Sequence, residues 1–377
     1  MSFPKSSFSI FILLNLLFLN FSLTAQVLVK IGIKNDLYNL NIKISEGDYA
    51  LTNGYDTVFL KKNDSITIEN NFNKLNVRFG LQNIQGDSIL LICKKENSSF
   101  ITKINDKWIE YEDNAIFYPQ NGSSITFINQ IDIDKYVASV ILSETYPNLP
   151  YEFYKAKAIV IRTYTLYMIN IEKKHINDKY DLCNTTHCQV YRGKCNNQTI
   201  IKASDETKNM IIVDSNNLPI LAVYHSNSGG LTNSSENYWG KSLPYLITKK
   251  DEYSTKSKNS TWTYTMSKDQ WLSYLAKFGI DSTNKNFENA TNFYQPLRKK
   301  YFIDTLTLRK IREDFNLKST YFNIATEGDK VIFNGRGYGH GVGLSQEGAI
   351  EMAKEGKTFT EILDYYYPNT KIYIFNY

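Results

Sequence analysis

Five glycines occupy every second position from Gly335 to Gly343, in the segment GRGYGHGVG. In extended backbone, alternate residues face opposite sides, so these glycines would present one bare backbone face. Another segment of the chain or a ligand must then approach that face closely. Arg336, Tyr338 and His340 would share the opposite face. The segment therefore demands a close partner, and both a packing role and a role in a binding site stay open.

The same glycines exclude a nucleotide-binding loop. A dinucleotide fingerprint has the spacing G-x-G-x-x-G between a strand and a helix. Counted from Gly337, the third glycine position is Val342, and counted from Gly339 it is Leu344. No Walker lysine follows either glycine. The formal charge of +5 comes from scattered basic residues, so we predict neither a nucleotide cofactor nor a nucleic-acid partner.

Hydrophobic periodicity divides the rest of the chain into a β-rich part and a mixed part. Short β-rich runs separated by Asn, Asp and Gly fill residues 26–133 and predict a mostly antiparallel region. Apolar residues recur at helical spacing from Tyr151 to Ile171. Thr358 and Glu361 form a capping box before a helix near the C-terminus. The sequence therefore predicts an α+β fold, with a β-rich N-terminal region and a mixed α/β catalytic core built from dispersed motifs.

The first 25 residues indicate export. Lys5 precedes an apolar run, and small residues precede Gln26, which predicts a secretory signal peptide cleaved after Ala25. The run is shorter than the ~20 residues that a membrane span needs, and a retained anchor is the alternative. We expect no transmembrane segment after cleavage. The predicted parts of the chain are the signal peptide (1–25), the β-rich part (26–133), the catalytic core (134–250), a less recognisable insertion or scaffold (251–330) and a C-terminal part completing the core (331–377).

The segment CNTTHC brings Cys183, His187 and Cys188 together. Thiolate and imidazole are ligands that zinc prefers, and a closed site needs four, for which His175 is the nearest fourth candidate. A disulfide between Cys183 and Cys188 is the direct alternative, because exported proteins usually oxidise their cysteines. Cys195 is a third candidate thiol. The metal site and the disulfide both stay open.

Glu144 is the carboxylate that we favour as an acid. It follows an apolar segment, is flanked by Ser143 and Thr145, and enters a turn broken by Pro147. A carboxyl group held in a partly apolar cleft has a raised pKa and can donate a proton at neutral pH. An ordinary solvated glutamate in a turn is the alternative. Position alone does not decide between them.

Four segments, in order along the chain, together resemble the SpoIID/LytB family (stage II sporulation protein D / amidase enhancer). The clearest is GRGYGHGVGLSQEGAIEMAKEGKTFTEILDYYYPNTKI, which is similar to the family's C-terminal signature nearly end to end. YVASVILSETYPNLPYEFYKAKAIVIRTYTL is similar to its central block, and CNTTHCQVYRG and YHSNSGGLTNSSENYWGKSLPYL to the two blocks between. The likeness covers most of residues 28–377.

The resemblance implies a role in peptidoglycan. Sporulation members of the family are lytic transglycosylases that cut glycan strands lacking stem peptides, and others are described as modifiers of cell-wall amidases. The expected protein is exported, periplasmic or cell-wall associated, and cleaves MurNAc–GlcNAc bonds in glycan strands to give 1,6-anhydroMurNAc ends. The alternative is a non-catalytic, glycan-binding amidase enhancer whose partner is a cell-wall amidase. The sequence leaves open whether the strands must lack stem peptides.

The resemblance also assigns residues. The family's catalytic glutamate falls on Glu144, as general acid and base. Some members hold a zinc near the active site, and its ligand positions carry over to His175, Cys183, His187 and Cys188. Within the implied mechanism, His225, Ser226 and Ser228 could hydrogen-bond the sugar and Tyr338 could stack on it, and Tyr338 and His340 are expected to face Glu144. Arg162 and Gln346 are helix-borne candidates for orienting Glu144 or the substrate. A structural role is the alternative for any of these residues that does not line the cleft.

The chain departs from the family's pattern inside two matching blocks. The usual KAQA run reads KAKA, so that Lys157 replaces a glutamine and would change the charge around the acid. Tyr338 stands where tryptophan is common, an exchange that preserves an aromatic ring for stacking. If the reaction were hydrolysis, a second carboxylate would be needed, for which Asp134 and Glu152 are available.

Overall fold

The structure is a computed structural model, and it describes residues 27–375. The predicted signal peptide lies outside the described residues. Within them, no helix is both long and apolar enough to cross a membrane. The predicted α+β class and its β-rich N-terminal region are confirmed, since strands fill the described chain up to Asp132 and helices begin at Ile133.

The elements are numbered in chain order. The strands are β1 (Leu28–Leu37), β2 (Asn39–Glu46), β3 (Asp48–Thr52), β4 (Thr57–Lys61), β5 (Ser65–Asn71), β6 (Lys74–Phe79), β7 (Gln82–Gly86), β8 (Ile89–Cys93), β9 (Ser99–Ile104), β10 (Lys107–Glu112), β11 (Asn114–Pro119), β12 (Ile125–Asp132), β13 (Leu182–Cys183), β14 (Met210–Val213), β15 (Tyr224–His225), β16 (Thr261–Ser267), β17 (Tyr301–Ile303), β18 (Leu306–Thr307), β19 (Phe322–Glu327), β20 (Lys330–Arg336), β21 (Leu344–Ser345) and β22 (Lys371–Ile374). The α-helices are α1 (Ile133–Glu144), α2 (Tyr151–Tyr167), α3 (Gln198–Glu206), α4 (Ser235–Trp239), α5 (Lys268–Ala276), α6 (Phe287–Thr291), α7 (Leu308–Asp314), α8 (Gln346–Lys354) and α9 (Phe359–Tyr366). A π-helix (Met168–Glu172) extends α2, and a 3₁₀ helix covers Glu252–Lys256.

Two sheets form the N-terminal region. One has the strand order β13-β1-β12-β11-β8-β3-β4 and the other β10-β9-β2-β5-β6-β7. In β2, Leu40, Ile42 and Ile44 are buried while their neighbours are more exposed, as expected for a strand with one face on a core. Tyr111 of one sheet packs edge-on against Phe127 of the other, with ring centroids 5.1 Å apart. The two sheets therefore share one aromatic core.

The helices α1 and α2 continue that core. α1 follows β12 directly, and the Asp132 side chain caps it by accepting the backbone N–H groups of the next turn. α2 begins after Pro150, and nearly all of its residues are buried because α1, α3, α8 and α9 pack around it. The predicted helix from Tyr151 is confirmed, and its last turn is the π-helix. Glu144 ends α1, facing the second turn of α2.

A second hydrophobic cluster lies under the sheet β16-β20-β19. Trp271 is fully buried there and packs edge-on against Phe333, with ring centroids 5.2 Å apart. The residues predicted as an insertion or scaffold supply most of this cluster. The boundaries proposed from the sequence stay predictions, but this part of the chain has hydrophobic packing of its own.

The prediction of an extended glycine segment is wrong beyond Arg336, the last residue of β20. Four of the five glycines have left-handed backbone, with φ of +75°, +109°, +82° and +70° at Gly337, Gly339, Gly341 and Gly343. Residues with a side chain rarely adopt these angles. The alternation therefore marks a chain that turns at every second residue rather than a strand.

The close approach expected of these glycines is confirmed. A Cβ on Gly337 would lie 2.5 Å from the Asn227 carbonyl oxygen, and one on Gly339 would lie 2.8 Å from the Cβ of His225. The Tyr338 N–H donates to the Asn227 carbonyl at 2.8 Å. The glycine segment is thus held against the chain around β15, which brings two distant sequence blocks together.

Candidate active site

A cleft of about 960 Å³ opens at the C-terminal end of α1. Its walls come from α1, α2, the Cys/His segment, β15, α4, α7, the glycine segment and the start of α8. Glu144 lines it, together with Tyr338, His340 and Gln346 of the C-terminal block. The fold therefore gathers in one cleft the four sequence blocks that are far apart along the chain.

Three donors converge on the Glu144 carboxylate. Lys157 Nζ donates to Oε2 at 3.1 Å, the Tyr224 hydroxyl donates to Oε2 at 2.7 Å, and the Val190 N–H donates to Oε1 at 3.0 Å. The Glu144 side chain is 13% exposed. A carboxylate at the C-terminal end of a helix is disfavoured by the helix dipole, and these three donors offset that cost.

Lys157 lies beneath Glu144 with no exposed surface. Its Nζ is 3.0 Å from the centroid of the Tyr224 ring, a cation–π contact that also shields it from water. Burial lowers the pKa of Lys157 to about 8, although the Glu144 carboxylate acts in the opposite direction. The lysine noted as a departure from the family's pattern is therefore an immediate partner of the candidate acid.

Tyr224 is a site residue that the sequence did not reveal. Its hydroxyl donates to Glu144 and accepts from Gln189 Nε2 at 3.4 Å. Burial, followed by the nearby Glu144 charge, raises the pKa of Tyr224 well above its usual value, so the phenol stays a donor. Neighbouring side chains of an extended segment face opposite sides. Tyr224 could therefore have been considered as a site residue once His225 was singled out in the sequence.

Aromatic rings line the same cleft as Glu144. Tyr338 is 45% exposed and Trp239 is 40% exposed, so both offer free ring faces. His340 packs against Trp239 and Tyr238, with ring centroids 5.4 Å and 5.8 Å apart. Burial lowers the pKa of His340 to about 4, which keeps the imidazole neutral. This wall can stack on flat, uncharged ligand faces.

The structure does not support the prediction that Arg162 orients Glu144 or the substrate. Its guanidinium is fully buried, bonds to Asp134 Oδ1 at 2.9 Å, and donates to the carbonyls of Ser204, Thr207 and Met210. Every donor group of the side chain is turned toward the α1–α3 packing. Arg162 therefore cannot reach a substrate in the cleft.

Three other predicted binding residues also stand outside the described lining of the cleft. His225 is buried, with Nδ1 3.1 Å from the Val342 carbonyl oxygen. The Ser228 hydroxyl donates to the buried Asp251 carboxylate at 2.6 Å. The backbone carbonyl of Ser226 accepts from the N–H of Glu347, the second residue of α8, at 3.0 Å. These residues hold the glycine segment and α8 beside β15, which is how they influence the cleft.

A Cys/His cluster lies at the edge of the same cleft. His175, Cys183, His187 and Cys188 place one ligand atom each within 4.8 Å of one another. His175 Nε2 is 3.2 Å from Cys188 Sγ, and His187 Nδ1 is 3.5 Å from Cys183 Sγ. Zinc bonds of the usual lengths in a tetrahedron separate ligand atoms by about 3.6 Å. The donor set therefore fits a structural zinc ion.

The surroundings of the cluster also suit a metal. Asp178 Oδ2 is 2.6 Å from His175 Nδ1, the kind of carboxylate partner that orients a metal-binding imidazole. All four cysteines are free thiols. The contact between the two cluster thiols lowers the pKa of Cys183 and raises that of Cys188, so that one thiolate forms readily.

The site thus consists of a partly buried carboxylate in an aromatic cleft, with a Cys/His cluster beside it. Comparisons of the sequence with known proteins identify the family that this site belongs to. Residues 121–213 match the family described as Stage II sporulation protein (SpoIID). Stage II sporulation protein D of Bacillus subtilis is 33% identical over 74% of this chain and 85% of its own length. An uncharacterized Brachyspira hyodysenteriae protein is also 33% identical, over 71% and 73%.

The chain belongs to the SpoIID family. The family includes a second kind of relative, since the amidase enhancer of Bacillus subtilis is 28% identical over 62% of this chain and 39% of its own length. The resemblance identified from the four sequence blocks is confirmed. The matched segment includes Glu144, Lys157 and the Cys/His cluster.

Proposed function

We propose that the protein is an exported lytic transglycosylase that cleaves MurNAc–GlcNAc bonds of peptidoglycan, with Glu144 as general acid and base. The observation that supports this most is the partly buried Glu144 carboxylate, held by three donors at the head of an aromatic cleft. A reaction with one carboxylate does not need the second acid of a hydrolase.

The carboxylates that could have served as a second acid are unsuitable. Asp134 lies ten residues before Glu144 on the same helix, about 15 Å along its axis, and is paired with Arg162. Glu152 is bound to Lys155 Nζ at 2.5 Å and to the Phe359 N–H at 2.7 Å. Glu172, the other carboxylate in the described lining, is exposed on the π-helix.

The reaction follows from these groups. Protonated Glu144 donates to the glycosidic oxygen, and the bond from that oxygen to C1 of MurNAc breaks with oxocarbenium character. The Glu144 carboxylate then takes the proton of the MurNAc 6-hydroxyl as its oxygen bonds to C1. The products are a new GlcNAc 4-hydroxyl and a 1,6-anhydro ring, and Glu144 is again protonated. No water is consumed.

The cleft supplies binding and orientation. Trp239 and Tyr338 offer exposed ring faces on which sugar rings can stack. Gln346, at the first turn of α8, offers an amide for sugar hydroxyls. A zinc ion held by the Cys/His cluster would act structurally, fixing the short segment that ends in the Val190 N–H donor. The protein's own residues carry every proton in this mechanism.

A second candidate is a glycan-binding amidase enhancer, since one relative carries that name. The aromatic wall would then bind glycan strands and a cell-wall amidase would be recruited, with Glu144 serving only in binding. Either function would be exercised outside the cytoplasm, in the periplasm or at the cell wall.

The experiment that tests the proposal incubates residues 26–377 with purified glycan strands, with and without stem peptides. Mass spectrometry should detect ends that are lighter by one water, the mark of 1,6-anhydroMurNAc, and Glu144→Gln should yield none while still binding. Binding without anhydro ends in the unaltered protein would favour the amidase enhancer. Hydrolysed, reducing ends would overturn the single-carboxylate mechanism.

A further inference from the structure

Lys157 is a buried partner of Glu144, and the mechanism above gives this lysine no role. Lys157 has no exposed surface, and its ammonium contacts the Glu144 carboxylate and the Tyr224 ring. A protonated lysine beside a carboxylate stabilises the ionised acid, yet a general acid must begin its reaction protonated. In the contact without substrate, Lys157 Nζ donates to Glu144 Oε2. A carboxylate that accepts this bond is not the protonated acid that a glycosidic oxygen requires.

The charged and titratable groups near Lys157 and Glu144 come from several elements of the fold. Glu144 is the charged group that acts on Lys157. Asp134 and Arg162, the next ionic pair along α1 and α2, bond to each other. The titratable groups that face Glu144 from α1, α2 and β15 are the phenols of Tyr136, Tyr164 and Tyr224, and burial raises the pKa of each. They stay neutral near pH 7. The other ionisable side chains that line the cleft have no hydrogen bond or ion pair with Lys157 or Glu144 in the described part of the chain: Glu172, Lys174, His187, Cys188, Arg192, Tyr238, Arg309, Tyr338 and His340. The transferable proton of the pair therefore lies between Lys157 and Glu144.

The proton can be redistributed within the pair without changing its net charge. Glu144⁻ with Lys157⁺ and neutral Glu144 with neutral Lys157 hold the same number of protons. Burial penalises two charges more than none, and a sugar bound over Glu144 removes the remaining contact with water. Closure of the cleft by substrate therefore favours the neutral pair, in which the acid carries the proton.

We propose that Lys157 is a positioning residue for the proton of Glu144: the pair holds one transferable proton, which lies on Lys157 in the resting cleft and on Glu144 when glycan is bound. In this step an N–H bond of the ammonium breaks, an O–H bond forms on the carboxyl group, and Lys157 is left as an amine. The later steps are those of the proposed transglycosylation, on which this inference rests. The 6-hydroxyl proton restores the pair, so no outside proton is needed.

The pH dependence follows with a definite sign. The pair keeps its proton below the pKa of Lys157, which is about 8, and loses it as the pH rises through that value. Activity should therefore persist through neutral pH and fall above about pH 8. Without the lysine amine, the proton must reside on an isolated carboxyl group, which loses it at lower pH than an amine does.

The main test compares pH–rate profiles of Lys157→Gln and the unaltered protein, scored by anhydro products. The alkaline limb of Lys157→Gln should shift at least one pH unit lower, leaving activity in acid but about tenfold less at pH 8. Lys155→Gln is the matched control, since it removes the same charge from the same helix outside the cleft and should leave the limb in place. A Lys157→Gln limb that coincides with that of the unaltered protein would overturn the inference.

Lys157→Arg separates proton supply from charge. Arginine keeps a permanent positive charge and cannot pass on its proton, so this variant should lose at least about a hundredfold in rate at all pH values. An active Lys157→Arg would mean that Lys157 serves only as a fixed charge, which overturns the inference. Thermal unfolding identifies a variant that fails to fold, in which case the Lys157→Gln profile alone decides.

A measurement without substrate keeps this inference separate from the proposed function. NMR of the protein with isotope-labelled lysine should show one amine titrating near pH 8, absent in Lys157→Gln and shifted to lower pH in Glu144→Gln. An amine that stays protonated to pH 10 would overturn the inference even if anhydro products form. A protein with the titrating amine but no anhydro products would instead refute the proposed function.

Discussion

Two ionic pairs join α1 to α2, and their surroundings differ. We call Glu144–Lys157 the open pair, because Glu144 lines the cleft, and Asp134–Arg162 the closed pair, because neither residue does. Asp134 and Arg162 pair near the start of α1, with Asp134 Oδ1 2.7 Å from Nη2. Glu144 and Lys157 pair at its end, 3.1 Å apart. Both cationic side chains are fully buried. In both, a carboxylate of one helix meets a cation of the next.

The difference lies in what surrounds each pair. The guanidinium of Arg162 donates to three backbone carbonyls besides Asp134, and it does not line the cleft that holds Glu144. The Glu144 carboxylate instead keeps part of its surface open to the cleft. Arginine stays charged in proteins, whereas a buried lysine can lose its proton. The surroundings of Asp134 and Arg162 fit a role in stability, whereas those of Glu144 and Lys157 fit the proton transfer that we propose.

The largest expected effect is on activity at the open pair. Glu144→Gln removes the transferable proton and should lower the rate of anhydro-product formation by about 10²- to 10⁴-fold, the usual contribution of general acid–base catalysis. Glu152→Gln, an acid in the first turn of α2 outside the cleft, is the matched control and should retain activity. A Glu144→Gln protein that cuts as fast as the unaltered one would erase the distinction between the two pairs.

The next effect is on stability at the closed pair. Arg162→Met leaves Asp134 buried without its partner, which should lower the free energy of unfolding by about 3–5 kcal/mol. Denaturant unfolding measures this, while the folded fraction should keep its rate of cleavage. A variant that is fully stable but inactive would return Arg162 to the substrate-binding role that the sequence suggested.

The sequence was sufficient for features with local signals. The capping box of Thr358 and Glu361 is present, and α2 begins at Tyr151 as its periodicity predicts. The Cys/His cluster was also foreseeable, because three of its members fall within six residues. Glu144 was favoured as the candidate acid from its neighbours, and the family resemblance supplied the decisive support that its position alone did not give.

Contacts between distant segments were out of reach of the sequence. The Val190 donor is a backbone N–H, and any residue type except proline could provide it. Tyr224 was overlooked beside the more conspicuous His225, although the fold points the tyrosine at Glu144. Arg162 was a helix-borne candidate for orienting Glu144 or the substrate, but the backbone carbonyls that enclose it could not be foreseen from the sequence. The left-handed turns at Gly337 and its neighbours mimic the spacing of a strand.

A third prediction concerns Tyr224, which donates to Glu144. Tyr224→Phe removes the hydroxyl that donates to Glu144 but keeps the ring over Lys157. A hydrogen bond to a charged group contributes about 1.5–3 kcal/mol, which corresponds to a change of about ten- to a hundredfold in rate, so the rate should fall within that range. The free energy of unfolding should change less than in Arg162→Met. An unchanged rate would mean that Lys157 and Val190 suffice to hold the acid.

The smallest expected effect concerns the Cys/His cluster, which touches the open pair indirectly. Cys188 lies two residues before Val190, whose N–H donates to Glu144 Oε1. Removing a bound zinc should loosen this segment and lower the rate by about tenfold or less. Within residues 27–375, no Cys/His cluster lies beside Asp134 and Arg162, so the amides around that pair should be unaffected.

Hydrogen exchange before and after chelation distinguishes these regions. Amides in residues 183–193 should exchange faster without metal, while those of α1 near Asp134 should keep their protection. Metal analysis should first find one zinc per chain in protein purified without chelator. Protein that is active without metal and whose Cys183 and Cys188 resist alkylation until reduced would establish the disulfide alternative. In that case the covalent bond, rather than zinc, would fix the segment that carries the Val190 donor, and chelation would leave both ionic pairs unchanged.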